Sequence, residues 1–273
     1  MRDWDDEFAV SAHIPGAEGL PAEWTRRAAA YRASGVRIDA DVAYGDAPAQ
    51  RMEVVHPDGP SRGLVIFVHG GFWMRTARTD WTDLAEGARA AGWTVALPGY
   101  TQAPQARISQ ITAQIAQAVS HAAGLVPGPI RLAGHSAGGH LALRMICDDS
   151  RLAPQVLGRI VRTVSIGGLH DLRPLRLAQM NATLRLTGDE AAAESPALHL
   201  PRPGARVTLW VGGDERPEFL RQSRLMAEIW AAEAQTDLVI EPGLHHFSVL
   251  EGLKTPGSGL VRALLDQKGG VEI

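Results

Sequence analysis

Short runs of apolar residues recur along the sequence, separated by longer stretches in which polar and apolar positions mix. The most continuous run, Leu-Val-Ile-Phe-Val at 64–68, predicts a strand that is buried on both faces. Two earlier segments, 36–44 and 51–56, alternate in part and predict an antiparallel pair at a sheet edge. Further apolar runs predict strands at 93–97, 130–133, 160–166, 207–211 and 238–240.

Helical periodicity fills most of the gaps between these runs. Ile108, Ile111, Ile115 and Val119 recur at the spacing that places side chains on one face of a helix. A second set at helical spacing comprises Phe219, Met226, Ile229 and Trp230. Strands that alternate with helices predict the α/β class, with a mostly parallel sheet of about eight strands and helices on both faces.

Two segments stand apart from this alternation. Residues 1–35 are rich in Ala and Arg and predict a helical extension that needs a surface to pack against. Residues 168–205 show no strand pattern, and insertions of this length often shape the mouth of a site. Thr187 and Glu190 have capping-box spacing, which predicts a short helix there. We therefore expect one domain over 1–273 that carries an N-terminal extension and a lid or substrate wall.

Composition is that of an ordinary globular protein, with 45% apolar and 21% charged residues. The net charge of −3 and the lack of a basic run argue against nucleic-acid and membrane-surface partners. The single cysteine, Cys147, excludes an internal disulfide and lies in an apolar stretch, which predicts burial. The N-terminus is acidic with no apolar segment behind it, so we expect a cytoplasmic protein.

A candidate nucleophile lies in the Gly-His-Ser-Ala-Gly pattern at 134–138, centred on Ser136. The predicted strand at 130–133 precedes the pattern and a helical stretch follows it, which is the setting that a nucleophilic serine on a sharp turn requires. Gly134 and Gly138 leave room for neighbouring backbone, and the helix offers free amides at its N-terminus. An ordinary glycine-rich turn is the alternative, whereas the glycine spacing fits neither nucleotide-binding loop.

The buried strand at 64–68 leads into His-Gly-Gly-Phe-Trp at 69–73. Acyl transfer builds negative charge on a carbonyl oxygen, and fixed backbone N–H groups stabilise that charge. Glycine lets a loop bring its amides close to the substrate. We therefore predict an oxyanion hole from Gly70, Gly71, Phe72 and Ala137, with a simple tight turn as the alternative.

A serine hydroxyl needs a histidine to accept its proton and an acid to orient that histidine, in the chain order Ser, acid, His. Asp214 is the first acid after the strand at 207–211 and is the predicted orienting acid. Glu215 is its rival, and Asp189 is a weaker one. His245 and His246 follow the last predicted strand, and their side chains cannot both point at Ser136.

Metal binding and substrate contact are the other roles open to these histidines and their neighbours. A metal site built from Asp214, His245 and His246 matches no common ligand spacing, so no metal and no cofactor is predicted. His140 lies about one helical turn after Ser136, so we expect it to be packed or hydrogen-bonded near the site. The histidine of the pair that is not the base is expected among the residues that contact substrate.

Three motifs together resemble the kynurenine formamidase (arylformamidase) branch of the α/β-hydrolases, near the hormone-sensitive-lipase-like esterases. They are His-Gly-Gly-Phe-Trp at 69–73, Gly-His-Ser-Ala-Gly-Gly-His-Leu at 134–141 and Asp-Leu-Arg-Pro-Leu at 171–175. Tyr-Thr-Gln-Ala-Pro at 100–104 is similar to a stretch that those esterases carry, and residues 213–223 and 246–247 also fit the branch. The resemblance extends from about residue 35 to about residue 255.

The resemblance implies an α/β-hydrolase fold with a Ser–acid–His triad, and it favours His246 over His245 as the base. It also places Trp73 and Asn181 at the border of the site, with structural packing as the alternative for both. The family loop usually has Tyr where this chain has Phe72, so a hydroxyl is missing at the acyl pocket.

The function that these features predict is hydrolysis of a small carboxylic ester or an N-formyl-arylamine, such as N-formylkynurenine, through an acyl-enzyme on Ser136. The expected partner is therefore a small-molecule substrate, and a homodimer is an open alternative to a monomer. Two other functions also stay open. One is non-catalytic binding of a small ligand on the same fold, and the other is acyl transfer to an acceptor other than water.

Overall fold

Eight strands form one sheet in the computed structural model, which describes residues 2–267. In chain order they are β1 (Ile38–Ala43), β2 (Arg51–Val55), β3 (Leu64–Val68), β4 (Thr94–Pro98), β5 (Ile130–His135), β6 (Ile160–Ile166), β7 (Arg206–Gly212) and β8 (Gln235–Glu241). Their order across the sheet is β1-β2-β4-β3-β5-β6-β7-β8. β2 pairs antiparallel with β1 and β4, and all other pairs are parallel, which confirms the predicted α/β class and antiparallel edge.

Helices flank the sheet and fill most connections between its strands. The α-helices are α1 (Trp4–Phe8), α2 (Leu20–Arg32), α3 (Glu86–Ala90), α4 (Ile108–Leu125), α5 (Ala137–Arg144), α6 (Pro154–Leu157), α7 (Asn181–Leu184), α8 (Gly188–Ala193), α9 (Pro217–Trp230) and α10 (Gly259–Leu265). Short 3-10 helices span Val10–His13, Ala17–Gly19, Arg78–Asp80, Thr82–Ala85, Arg173–Leu177, Pro196–Leu198 and Glu251–Lys254. Thr187 caps α8 by accepting the N–H of Glu190, as its spacing predicts.

The apolar faces read from the sequence point into the core with one exception. On α4, Ile108, Ile111, Ile115 and Val119 are all fully buried. Burying each of these side chains stabilises the fold by about 1.5–3 kcal/mol. On α9, the prediction for Ile229 is wrong, since its side chain is 41% exposed. Ile229 lies about 100° around the helix from the buried Trp230, beyond the contact with the sheet.

The position of β8 at the edge of the sheet explains why its continuous apolar run is short. β8 extends to seven residues, although only 238–240 carry a continuous apolar run. It is the outer strand of the sheet, so one edge and much of one face remain exposed and accept polar residues. The carboxyl ends of β3, β5, β7 and β8 meet at the same edge of the parallel sheet, where ligands usually bind in open α/β sheets.

The N-terminal extension packs across that edge through aromatic side chains. Phe8 of α1 lies edge-on to Phe219 of α9, with ring centroids 6.3 Å apart. Trp24 of α2 contacts Trp81, with ring centroids 4.7 Å apart. Both Phe8 and Trp24 are buried. The extension therefore has the packing surface that its sequence demanded.

Candidate active site

Ser136 occupies a sharp turn between β5 and α5. Its backbone adopts φ +56° and ψ −120°, a conformation that side chains rarely adopt. The Ser136 N–H donates to the carbonyl of Ile166 on the adjacent strand at 2.8 Å, which ties the turn to the sheet. The motif therefore has the strand–turn–helix setting that a nucleophilic serine needs.

The glycines beside Ser136 are required by close backbone packing. A Cβ atom at Gly138 would lie 1.9 Å from the carbonyl oxygen of Val68. A Cβ atom at Gly134 would lie 2.0 Å from the carbonyl oxygen of Gly138. A side chain at 138 would force the turn away from β3, and one at 134 would force β5 away from the start of α5, so this geometry requires glycine at both positions.

The acid that contacts the histidine is Glu215 rather than the predicted Asp214. The Nδ1 atom of His246 lies 2.6 Å from Oε2 of Glu215, and both side chains are buried. The N–H of Gly212 donates to the other carboxylate oxygen of Glu215 at 3.2 Å. Asp214 is exposed, and its N–H donates to the carbonyl of Leu244. The turn after β7 points the side chain at 214 to solvent and the next one inward.

This contact defines the tautomer of His246 that the site would use. An ionised Glu215 can only accept hydrogen bonds, so Nδ1 of His246 carries the proton and Nε2 is left with a free lone pair. His246 and Ser136 both line one cavity. The sequence prediction of His246 in preference to His245 is consistent with this placement.

Neighbouring rings fix the orientation of His246. The rings of Phe219 and His135 each lie 4.5 Å from it, centroid to centroid. His135 also donates from Nε2 to the main-chain carbonyl of His246 at 2.8 Å. Burial lowers the pKa of His135 well below its usual value, so this ring remains neutral. His135, the residue before the nucleophile, therefore helps to hold His246 in place.

The loop after β3 supplies backbone N–H groups close to Ser136. A Cβ atom at Gly70 would lie 2.9 Å from the Cβ of Ser136, which shows how closely the loop approaches. Gly71 and Phe72 adopt φ +99° and +50°. Within residues 2–267, their N–H groups have no acceptor. Ala137 is the first residue of α5, where an N–H has no intrahelical partner.

The orientation of one of these amides follows from its neighbour. The Gly71 carbonyl accepts the N–H groups of Met74 and Arg75 at 3.0 and 2.9 Å. A trans peptide is planar, so the Phe72 N–H points opposite to that carbonyl. Phe72 and Gly71 line the cavity together with Ser136. The loop therefore presents donors of the kind that stabilise an oxyanion.

A cavity of about 800 Å³ opens above these groups. Its wall is largely apolar and comes mainly from the N-terminal extension and the oxyanion loop, with Gln179, Met180 and Thr183 from the 168–205 segment. Its aromatic and larger aliphatic lining residues are Phe8, Val10, Trp24, Phe72, Met74, Trp81, Met180 and Phe247. The sequence pointed to 168–205 as a substrate wall and missed the contribution of the extension.

Trp73 and His140 lie in the core beside the site, where Trp73 takes the structural packing that was its alternative and His140 is packed and hydrogen-bonded as expected. Trp73 and His140 are fully buried, do not line the cavity, and pack edge-to-face with centroids 5.1 Å apart. Nε2 of His140 donates to the carbonyl of Glu194 at 2.7 Å. Burial lowers the pKa of His140 to about 3. The pair supports α5 from behind the nucleophile.

Asn181 and His245, the other two residues expected to border the site or contact substrate, bond to the backbone of their own loops. Asn181 accepts the N–H of Leu186 at 2.8 Å and donates to the Leu186 carbonyl at 3.3 Å. His245 accepts the N–H groups of Phe247 and Ser248 at Nδ1, each at 3.2 Å. Neither residue lines the cavity. Short polar side chains at loop ends often bond to backbone in this way.

Within residues 2–267, one group of potential metal ligands converges, Asp148, Asp149 and His199, and none of these residues lines the cavity. Asp149 already accepts a two-point hydrogen bond from Arg144, at 2.7 and 2.8 Å. Within the same residues, every helix is too short or too polar to traverse a bilayer.

Comparison with known proteins gives the same assignment as the motifs. The sequence profile of the alpha/beta hydrolase fold family matches residues 65–246. Kynurenine formamidase of Danio rerio is 28% identical over 250 residues, which cover 84% of this chain and 81% of that protein. Kynurenine formamidase of Salmo salar is 27% identical over 248 residues, with the same two coverages.

Solved structures agree with this assignment. A Silicibacter sp. TM1040 protein, provisionally named a thioesterase, superposes with a TM-score of 0.93 at 43% identity, covering 97% of this chain and 100% of that one. Esterase B of Lactobacillus rhamnosis has a TM-score of 0.67 at 17% identity over 90% and 92% of the two chains, a likeness of fold alone. The chain therefore belongs to the α/β hydrolase fold family and is a hydrolase.

Proposed function

We propose that the protein is a serine hydrolase that works through an acyl-enzyme on Ser136. The observation that carries this proposal is the buried pair of His246 and Glu215, in which His246 lines the same cavity as Ser136, Gly71 and Phe72. A hydroxyl, a base with an oriented free nitrogen and an oxyanion site are the parts that acyl transfer needs.

In the first half of the reaction, Oγ of Ser136 attacks the substrate carbonyl carbon and its proton passes to Nε2 of His246. The carbonyl oxygen becomes negative and accepts hydrogen bonds from the N–H groups of Gly71, Phe72 and Ala137. Glu215 stabilises the imidazolium through Nδ1–H without taking its proton. The intermediate then collapses, the bond to the leaving group breaks, and His246 returns its proton to that group.

In the second half, water replaces the leaving group. His246 accepts a proton from water as the oxygen attacks the acyl carbon of the Ser136 ester. The same amides stabilise the second oxyanion, and the proton returns to Oγ of Ser136. The product is a carboxylic acid, or formate where the acyl group is formyl.

The cavity favours a substrate with a bulky apolar group. Aromatic rings from the extension and the loops surround it, and such rings prefer to contact other rings offset or edge-on. This supports an aryl-bearing ester or an N-formyl-arylamine. The similarity to two kynurenine formamidases supports the N-formyl-arylamine.

A thioester is a second candidate substrate. The observation in its favour is the relative of known structure at 43% identity, which is provisionally named a thioesterase and is matched along its whole length. Thioester and ester hydrolysis use the same acyl-enzyme. Values of kcat/KM for N-formylkynurenine, a short p-nitrophenyl ester and a short acyl thioester would rank the three classes directly.

The nucleophile is tested by covalent labelling with a fluorophosphonate. We expect the wild type to be labelled and Ser136→Ala to lose both label and turnover. Ser11→Ala is the matched control because Ser11 lines the same cavity and should keep both. Equal labelling of wild type and Ser136→Ala would overturn the proposal.

A further inference from the structure

The carbonyl of Gly70 is surrounded by side-chain donors on one side. Nδ1 of His69 lies 2.9 Å from its oxygen, Oγ1 of Thr76 lies 3.1 Å away, and the hydroxyl of Tyr100 lies 3.3 Å away. The Tyr100 hydroxyl also reaches the carbonyl of His69, at 3.2 Å. His69 and Tyr100 are buried, so these contacts are made away from bulk water.

These donors fix the direction of the next amide. Gly70 and Gly71 share a planar trans peptide, so a carbonyl held toward Thr76 and Tyr100 turns the Gly71 N–H to the opposite side. Gly71 lines the cavity with Ser136, and among the described residues its N–H has no acceptor. The polar cluster thus lies behind the predicted oxyanion hole and aims one of its donors.

The backbone of Thr76 gives an independent indication. Its φ of +63° is unusual for a β-branched residue. Strain of this kind tends to persist at functional sites. Trp81 donates from Nε1 to Oγ1 of Thr76 at 3.4 Å, which leaves the Thr76 hydroxyl hydrogen for the Gly70 carbonyl. The strained conformation therefore directs this hydroxyl at the oxyanion loop.

The charge states of the other two donors suit the same task. Burial lowers the pKa of His69 to about 4, so its ring is neutral near pH 7. Its Nδ1 then serves as an N–H donor to Gly70, with the tautomer assigned from that contact. Burial raises the pKa of Tyr100, so its hydroxyl stays protonated and can donate.

We propose that Thr76 and Tyr100 are positioning residues of the oxyanion hole, which hold the Gly70 carbonyl and thereby aim the Gly71 N–H at the reacting oxygen. The inference rests on the proposed function and adds to it. Neither residue touches the reacting atoms in this mechanism. Each acts through one peptide group, so its loss should be felt where negative charge develops on the substrate.

The experiment compares Thr76→Val with Thr76→Ser, and Tyr100→Phe with Tyr44→Phe. Valine keeps the shape of Thr76 and removes its hydroxyl, while serine restores the hydroxyl. Tyr44 is the matched control because its buried hydroxyl donates to the Gly99 carbonyl at 2.5 Å and does not contact the oxyanion loop. Hydrolysis is measured as separate kcat and KM values, with binding of a trifluoromethyl ketone that forms an oxyanion.

Outright loss of one oxyanion donor lowers kcat by about 10²–10³-fold, and misaiming a donor should cost less. We expect kcat to fall about tenfold in Thr76→Val and in Tyr100→Phe, with KM changed less than about threefold. Ketone affinity should fall in parallel with kcat/KM. Thr76→Ser and Tyr44→Phe should stay within about threefold of wild type.

Unchanged kcat in both Thr76→Val and Tyr100→Phe would overturn the inference, and so would a loss confined to KM. If Tyr100→Phe does not fold, the Thr76 pair alone decides the question, since valine and serine differ at the hydroxyl. Failure of the proposed function looks different, because then Ser136→Ala retains turnover. Normal labelling of Ser136 with unaffected Thr76→Val kinetics refutes only the positioning role.

Discussion

The floor and the wall of the cavity are held in different ways. The floor, which comprises Ser136, Glu215 and His246, is buried and is held by hydrogen bonds of the turns at the strand ends, such as those from the Ser136 N–H to the Ile166 carbonyl and from the Gly212 N–H to the Glu215 carboxylate. The strand order places the turns that carry these residues at the same edge of the sheet.

The wall from the N-terminal extension depends on side chains. Asp5 accepts the N–H of Gln179 at 2.6 Å, and Thr25 donates to Asp80 at 2.8 Å. Trp24 contacts Phe247, with ring centroids 5.1 Å apart. The comparison teaches that the fold positions the floor, while side chains of the extension build the wall, which we expect to select the substrates.

The largest effect on kcat should come from removing the carboxylate of Glu215 in the floor. Replacing it with Gln leaves the shape but removes the acceptor that orients His246, and comparable changes lower kcat on the order of 10⁴-fold. Asp214→Asn is the matched control, since Asp214 is an exposed neighbour, and should stay within about twofold. Steady-state kinetics of both variants decide between the two acids. A larger loss of kcat in Asp214→Asn than in Glu215→Gln would show that Asp214 is the orienting acid.

The next effect concerns stability in acid. Burial lowers the pKa of His140 to about 3, whereas an unfolded chain has a histidine pKa near 6.5. Between these values the unfolded state binds the extra proton, so the free energy of unfolding falls as pH falls. The slope is about 1.4 kcal/mol per pH unit for each such histidine.

Urea unfolding of wild type and His140→Gln at several pH values between 4.5 and 6.5 measures this slope. We expect the slope of the free energy of unfolding against pH to be smaller in the variant by about 1.4 kcal/mol per pH unit, whatever its absolute stability. Equal slopes for the two proteins would show that His140 does not contribute to the pH dependence of stability. The effect belongs to the support of the floor, because His140 packs behind the nucleophile helix.

The smallest effect should come from the wall. Trp24→Leu removes an aromatic surface from the cavity, so kcat/KM for a naphthyl ester should fall about tenfold while that for a short acetate ester changes less than about threefold. Tyr31→Leu is the matched control on the same helix, because Tyr31 packs against the core and does not line the cavity. A ratio of the two substrates that shifts equally in both variants would indicate general destabilisation.

The sequence predicted the floor better than the wall for physical reasons. Ser136 and its two glycines form a local pattern of five residues, although the space that Gly138 leaves open is taken by the distant Val68. The choice between Asp214 and Glu215 depends on which side chain a two-glycine turn points inward, and composition alone does not encode that direction. Asn181 resembled a site residue by motif, yet its amide is used by its own loop.

The wall was harder to predict because it forms between distant segments. Phe8 and Trp24 meet the oxyanion loop and the loop after β8 only once the sheet has folded. The cluster on the Gly70 carbonyl is equally non-local. Tyr100 began a stretch that matched the family, but its bond to a peptide 30 residues earlier had no local signal.

The most direct measurement is a crystal structure of the enzyme after reaction with the fluorophosphonate. We predict a covalent bond from phosphorus to Oγ of Ser136, with the phosphonyl oxygen hydrogen-bonded to the N–H groups of Gly71, Phe72 and Ala137, and with Glu215 bound to Nδ1 of His246. A phosphonate attached to another residue, or a phosphonyl oxygen pointing away from these amides, would contradict the mechanism.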